Sequence, residues 1–467
     1  MPKMQLVDYD FHDGLNVDAD SEQIKKSELI DSYEAQAEQL IEWPRDDGTI
    51  TLLAIIGTNL CELDSDFSVS KTVQALNSTR IPYFFLQDKL YFIDPGTEYY
   101  VYDGTNCNAV TPDSDPDNDL TPIKRCKYIV RHPKSMRIFF AGDTQDQSAV
   151  YYSEYNQPDF VKDTSVLYPT NGDGPVKVLS MFMDAVLVEY KYSRWIWRGI
   201  DPEEDSIWEK LPTSAGTIAP YSVALTTSSL TSLGPGGIYT ITPSIIGISM
   251  EIRVDRDYIA NIAQNKVMEI INAITSPEIA VSVFDNINQR FMLAYCDDDT
   301  ERNNKILVVD WLMGGFTRWT GIKVNDFLLR LNGDLLAATE NYILKLNTGD
   351  KDISTDGTEA AIDFDIETPS YDFDSPFEDK NVSKYFISYK NETGLAFEVD
   401  YKVDDEVKET EEISASGTAD LNVARIVTSY TGARHRLNIK HSQVDVPFAV
   451  YGIGFNFKMV NTIGDKL

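Results

Sequence analysis

The chain has 467 residues, with 41 basic and 74 acidic side chains and a formal net charge of −33. That balance excludes ordinary DNA-backbone binding, whose affinity comes from Lys and Arg neutralising phosphates. It leaves two uses for the acid: solubility, or a surface that must not adhere to nucleic acid. No run of about 18 uncharged apolar residues offers a membrane span. Met1-Pro2-Lys3-Met4-Gln5 lacks the apolar core of a secretory signal, so the expectation is a cytosol-made chain or one already processed.

Residues 1–48 are polar and read as an opening arm. Gly14, within Phe11-His12-Asp13-Gly14-Leu15-Asn16, permits a sharp turn, and residues 27–41 carry weak helical periodicity. From 49 to 350 the chain repeats apolar β-hairpins. Tyr83-Phe84-Phe85-Leu86 is followed by Leu90-Tyr91-Phe92-Ile93, and Arg137-Ile138-Phe139-Phe140 by Val150-Tyr151-Tyr152. Ala185-Val186-Leu187-Val188 leads to Trp195-Ile196-Trp197, and Phe291-Met292-Leu293-Ala294-Tyr295 to Ile306-Leu307-Val308-Val309. A hairpin cannot bury its own faces, so stacked copies must, and a repeat of roughly 40 residues is the spacing of propeller blades. The reading is an all-β chain: a β-propeller of six or seven blades over 49–350 with one inserted helix, then an antiparallel β-sandwich over 351–467. The helix is expected over 256–275, where Ile259, Ile262, Ala263, Val267, Ile270, Ile271 and Ile274 form one stripe and Pro277 ends it. Core packing is its favoured use, over a contact with a neighbouring subunit. The sandwich rests on Tyr385-Phe386-Ile387-Ser388-Tyr389, residues 395–401, 436–440 and 448–453, short alternating runs between acidic and Gly-containing turns.

Candidate chemistry was weighed at each unusual segment. Thr111-Pro112-Asp113-Ser114-Asp115-Pro116-Asp117-Asn118-Asp119 superficially resembles a calcium loop, but Pro116 interrupts it and Lys124 holds the twelfth place, where a bidentate Glu belongs. Lys124, Arg125, Lys127, Arg131, Lys134 and Arg137 form a basic run overlapping a strand. It reads as a solvated edge strand with anti-aggregation charges, or as a contact for an acidic neighbouring subunit. Trp195 and Trp197 share one strand face and could stack a sugar, with Arg194, Ile196 and Arg198 on the other; a blade strand explains them equally. Gly234-Pro235-Gly236-Gly237 leads into a strand and reads as a tight turn rather than a phosphate cradle, which needs a helix N-terminus. Gly314-Gly315 to Trp319 matches a propeller turn pattern once only. Cys296-Asp297-Asp298-Asp299 reads as a hairpin tip. Cys61, Cys107, Cys126 and Cys296 lack a CxxC spacing and read as reduced thiols. His12, His132, His435 and His441 lack metal spacing. No catalytic, cofactor-binding or metal-ligating residue is assigned and no cofactor is expected. Propeller glycosidases hide their carboxylates in a central funnel, and sequence spacing cannot reveal such a pair.

Four segments carry a family resemblance. They are Asp10-Phe11-His12-Asp13-Gly14-Leu15-Asn16 with Ile24 and Glu28; Arg137-Ile138-Phe139-Phe140-Ala141-Gly142-Asp143 through Tyr155 to Pro158-Asp159-Phe160; Trp195-Ile196-Trp197-Arg198-Gly199 through Pro212, Gly216 and Tyr221 to Gly237-Ile238-Tyr239; and Thr368-Pro369 through Pro376 and Lys380 to Tyr451-Gly452-Ile453. The chain resembles the β-propeller proteins of phage tails, the tail-hub, nozzle or tail-stabilisation family of short-tailed phages. Phe160 replaces the family's usual Trp, and Asp13-Gly14 its Gly-Gly. The resemblance implies a structural virion protein without enzyme activity, assembled in the host cytoplasm as a cyclic ring, six-fold by the resemblance. It would lie below the portal or head–tail adaptor with other tail proteins, and DNA would pass without specific binding. An acidic lumen would suit that passage. The competing reading is a glycan-binding or glycan-hydrolysing propeller.

Overall fold

In the computed structural model, the described residues are 13–15, 27–32 and 36–460, apart from 171, 247–248, 256–259, 299–301, 312–315, 341, 347–351, 354–358, 361, 392–395, 415–417 and 444–447. Seven antiparallel sheets follow one another, over residues 37–75, 83–109, 128–167, 178–210, 224–255, 281–320 and 324–346. Each is a propeller blade whose first strand is innermost. The first strands of blades 2 and 3, 3 and 4, 5 and 6, and 6 and 7 touch, and the first strand of blade 7, Val324–Leu329, packs on that of blade 1, Ala37–Pro44. Blade 7 supplies only three strands of its own. Its outermost strand is Ser27–Ser32, antiparallel to Tyr342–Leu346.

The arm expected over 1–48 is therefore corrected. Ser27–Ser32 closes blade 7 and Ala37–Pro44 opens blade 1, so the helical periodicity of 27–41 belongs to two strands. Residues 10–12, 16 and 24 of the opening motif lie outside the described residues.

The second strand of each blade is nearly all buried, as in Ala185–Glu189 and Arg290–Tyr295. Both faces of such a strand are covered by flanking blades, so it reads as a continuous apolar run. Alternate residues serve different neighbours: Leu53 and Ile55 pack towards blade 2, and Leu52, Ala54 and Ile56 towards blade 7. A separate apolar cluster fills every blade–blade junction around the ring.

The helix is Ala260–Ala273, and its expected start at 256–259 lies outside the described residues. Val267, Ile270 and Ile271 pack among Leu233, Ile238, Phe291 and Leu293, between blades 5 and 6. Its use is core packing. Pro235 and Gly236 form the turn between Leu230–Gly234 and Gly237–Ile246, with Gly236 at φ +84°, which glycine adopts freely.

The sandwich pairs two sheets. One has the order Ile362–Glu367, His435–Gln443, Phe397–Val403, Glu406–Ile413; the other Thr418–Gly432, Lys380–Asn391, Phe448–Met459. Tyr385, Ile387, Val399, Tyr401, Leu437 and Ile439 form the core between them. The sandwich does not stand apart from the propeller. Asp13–Leu15 pairs antiparallel with Ile362–Glu367 and, at Leu15↔Arg318, parallel with the outer strand of blade 6, giving one nine-stranded sheet.

Two buried polar groups set testable costs. Arg194 Nε donates to Glu189 Oε2 at 2.8 Å with both side chains fully buried, and Arg194 also donates to Ser232 Oγ of blade 5. Removing one partner strands a buried charge, so Arg194→Met should cost about 3–5 kcal/mol in urea unfolding, and the double variant with Glu189→Gln less than the sum of the single changes.

His441 lies buried against Phe448, rings 4.9 Å apart and 1° from parallel. Neither ring nitrogen has a partner among the described residues, and burial lowers its pKa below 6.5. As pH falls, the unfolded chain takes up that proton first, so stability is lost from about pH 6.5 downward through the lower native value. His441→Leu should make the loss of stability between about pH 6.5 and about pH 5 shallower. His132 and His435, lowered by burial in the same direction, keep their share.

Candidate functional site

The innermost strands of blades 1 and 7 each carry a β-bulge, one between Ala37 and Gln39 and one between Val324 and Asp326. A bulge inserts an unpaired residue and re-aims its neighbours. Here the bulges bring Glu38, Asn325 and Asp326 to the centre of the ring, where Arg80 enters from the connection between blades 1 and 2.

Arg80 Nη1 lies 3.1 Å from Asp326 Oδ1. Its Nη2 donates to the carbonyls of Asn325 and, at 3.4 Å, Glu38. Its guanidinium sits 4.2 Å from the ring centre of Tyr221, which comes from the start of blade 5. Asp326 Oδ2 accepts from Leu40 N at 3.0 Å, and Asn325 Nδ2 donates to Ala37 O at 2.9 Å. Gln39 bonds both ways to the Ile81 backbone. One guanidinium thus ties blades 1 and 7 together and reaches across to blade 5. Burial raises the carboxyl groups of Asp326 and Glu38, and the charge of Arg80 opposes the rise in both. Burial and the Asp326 charge push Tyr83 up to about 12.

A cleft of about 350 Å³ opens beside this cluster. The segments leading into blades 3 to 6 and the second hairpin of blade 3 line it, through Lys127, Tyr128, Thr144, Gln147, Lys177, Tyr221 and Glu278. Asp143 at its wall is held by a bidentate Arg125, at 2.7 and 2.8 Å, and by Tyr151.

The segments singled out in the sequence take structural places. The basic run is not a solvated strand: Tyr128–Arg131 is the innermost strand of blade 3. Lys124 pairs with Glu98, Arg125 with Asp143, Lys134 with Asp184, and Arg137 with Glu154 and Asp201, joining blades 2, 3 and 4. Arg131 donates to the Phe85 carbonyl, and Lys127 alone of the six is exposed without a carboxylate partner among the described residues. Trp197 is fully buried against His132 and Phe139, and Trp195 donates to Asp173, so this pair offers no sugar platform. Arg194 does not face solvent; it is buried between blades 4 and 5.

In the acidic loop, Asp113, Asp115 and Asp119 each accept from the backbone N–H two residues on, the Asx turns that Asp favours. The four thiols are free, with Cys61, Cys126 and Cys296 buried. Gly314-Gly315 and Asp299 lie outside the described residues. The sequence reading missed the axial cluster, because Arg80 and Asp326 are 246 residues apart and bulges leave no composition signal.

No family model and no curated protein matches this chain. Among solved structures it is similar to the extracellular domain of a one-component system from B. thetaiotaomicron, at 11% identity over 88% of this chain and 58% of that one, TM-score 0.46. It is also similar to virginiamycin B lyase from Staphylococcus aureus, at 12% over 68% and 97%, TM-score 0.43, and to YCF48, at 10% over 74% and 98%, TM-score 0.40. Likeness this distant carries no functional argument. The seven sheets themselves define the chain as a β-propeller joined to a β-sandwich.

Arg80→Ala should leave the partly buried Asp326, its side chain 13% exposed, without its cation and cost about 1–3 kcal/mol at about pH 7. A carboxyl whose native pKa is raised loses stability as pH rises through that value. The deficit of Arg80→Ala should therefore shrink on acidification to about pH 5, read by urea unfolding at both pH values.

Proposed function

We propose that this chain is a structural subunit of a phage tail, a ring-forming nozzle or adaptor below the portal. It would contact copies of itself, the head–tail adaptor and other tail proteins, with the genome passing through the shared lumen without specific binding. The observation that supports this reading best is the axial cluster. Both oxygens of Asp326 are engaged, by Arg80 and by Leu40 N, and the guanidinium that holds them reaches the backbone of blades 1 and 7 and the ring of Tyr221. Carboxylates used in this way fasten blades together, whereas a glycosidase funnel needs an acid and a base free to meet substrate. The sheet shared by blade 6 and the sandwich favours the same reading, because a wall subunit needs its parts held at a fixed angle.

The glycan-binding reading keeps one feature in its favour, the presence of Tyr128 and Tyr221 in the mouth cleft. Cryo-EM of the source particle, beside a glycan-turnover panel with the full chain, separates the two. The expected result is density for a closed ring of copies in the tail and no turnover. Turnover abolished by Glu38→Gln or Glu278→Gln, or a monomer outside the tail, would overturn the structural reading.

A further inference from the structure

The two outer faces of the sandwich have opposite character. On the face built from Ile362–Glu367, His435–Gln443, Phe397–Val403 and Glu406–Ile413, the inward residues Val399, Tyr401, Leu437 and Ile439 leave Asp365, Glu367, Glu398 and Glu412 outward, while Asp400 on the same side is buried under Lys440 and Thr410. Lys402, Arg436 and Lys440 stand among them and are paired, Lys402 to Glu367 at 2.7 Å and Lys440 to Asp400 at 2.6 Å. Such a polar, ion-paired face with an acidic excess is stable in water.

The opposite sheet is different. Its central strand Lys380–Asn391 turns Tyr385, Ile387 and Tyr389 inward, which leaves Lys384, Phe386, Ser388 and Lys390 outward. Register sets Val427 beside Lys384, Arg425 beside Phe386 and Val423 beside Ser388, with Asn456, Gly454 and Gly452 on the other flank. Leu421, Val423 and Val427 are 55%, 62% and 68% exposed. Among the described residues Lys384, Arg425 and Lys458 have no carboxylate within ion-pair distance, and Lys390 lies over the Tyr451 ring instead, 5.3 Å from its centre. This face mixes exposed apolar side chains with cations that meet no carboxylate among the described residues and is flattened by two glycines, in a chain whose net charge is −33. Its edge strand, Thr418–Gly432, runs 15 residues, without the Pro that often blunts an exposed edge.

We propose that this face docks the acidic sandwich face of a second copy of the chain, a head-to-tail contact repeated from copy to copy. The inference rests on the ring-forming reading above and assigns the surface that makes the ring. Charge complementarity selects the occupant: cations without a carboxylate partner among the described residues on one face, a carboxylate excess that includes Glu398 and Glu412 on the other face of the same domain. Size agrees. Strands of about 12 residues at about 3.3 Å each, three abreast at about 4.8 Å, cover on the order of 550 Å². Doubled for two partners, that passes the roughly 1,000 Å² a specific interface needs. A contact between two different patches closes into a ring when the rotation between copies allows.

The test uses the full chain, with sedimentation velocity and native mass spectrometry across protein and salt concentration. Val423→Asp and Val427→Asp replace outward side chains, so circular dichroism and melting should stay as in the wild type while self-association weakens about tenfold or more. Arg425→Glu should weaken it as well, and adding Glu398→Lys in the same chain should restore it. Oligomers that form equally in the wild type and all three single variants would overturn this surface and leave the ring reading standing. A wild-type chain that stays monomeric at every concentration and in the native particle would overturn the ring reading itself. Capture of an unrelated acidic protein on this face, with no self-association, would overturn the choice of occupant.

Discussion

A four-stranded blade has two apolar faces and can hide neither alone, and the rest of the molecule follows from that constraint. Each blade is covered only because the next one stands against it, so the ring must close or leave two faces wet. The closing junction lies between blades 7 and 1, where Ala54 and Ile56 meet Leu336, Ala338 and Ile343. Segments about 300 residues apart must meet there, and the entropy of closing so long a loop grows only with its logarithm. Arg330 pairs with Glu42 across the junction and Asn325 donates to the Ala37 carbonyl, and two further devices help hold it. Ser27–Ser32 completes blade 7 from the far end of the sequence, and Asp326 of blade 7 accepts from Leu40 of blade 1.

Arg80 makes the second device possible by pairing with Asp326. A buried Asp326 without a cation would hold its proton or destabilise the ring. With Arg80 beside it, its oxygens become acceptors for backbone and guanidinium of adjoining blades. Paired carboxylates become catalytic when burial raises one and a substrate can reach both. Here the raised groups share a guanidinium that is itself bonded to two carbonyls. The centre of the propeller is therefore fastened by one guanidinium.

The hairpins were legible because second strands are buried on both faces and so print as unbroken apolar runs. The helix was legible because its apolar positions from Ile262 to Ile274 keep one helical period, and Val267, Ile270 and Ile271 among them are buried. The start of the propeller was not. Ser27–Ser32 and Ala37–Pro44 are short strands four residues apart, and the bulge at Glu38 shifts the parity of the second. Their apolar residues then fall by coincidence near helical spacing. The axial cluster was illegible for a related reason: its geometry depends on two bulges and on residues 42 and 246 positions apart. The basic run was misread because composition counts charges without counting partners.

Thr418–Gly432, the longest strand among the described residues, carries no strand signal in the sequence. A strand with one wet face alternates apolar and polar residues, and that alternation is the usual signal. In this strand Ala424 and Ile426 face the core while Leu421, Val423 and Val427 face outward, so the period of two is cancelled by apolar residues on both sides. Water alone does not favour such a pattern. The cations show the same contrast. Those of residues 124–137 that meet carboxylates do so within the propeller, whereas those on the outer sandwich face meet none among the described residues. Matched charge in this chain holds blades together. Cations without a carboxylate partner among the described residues lie where Leu421, Val423 and Val427 are also exposed, which is the combination the proposed contact uses.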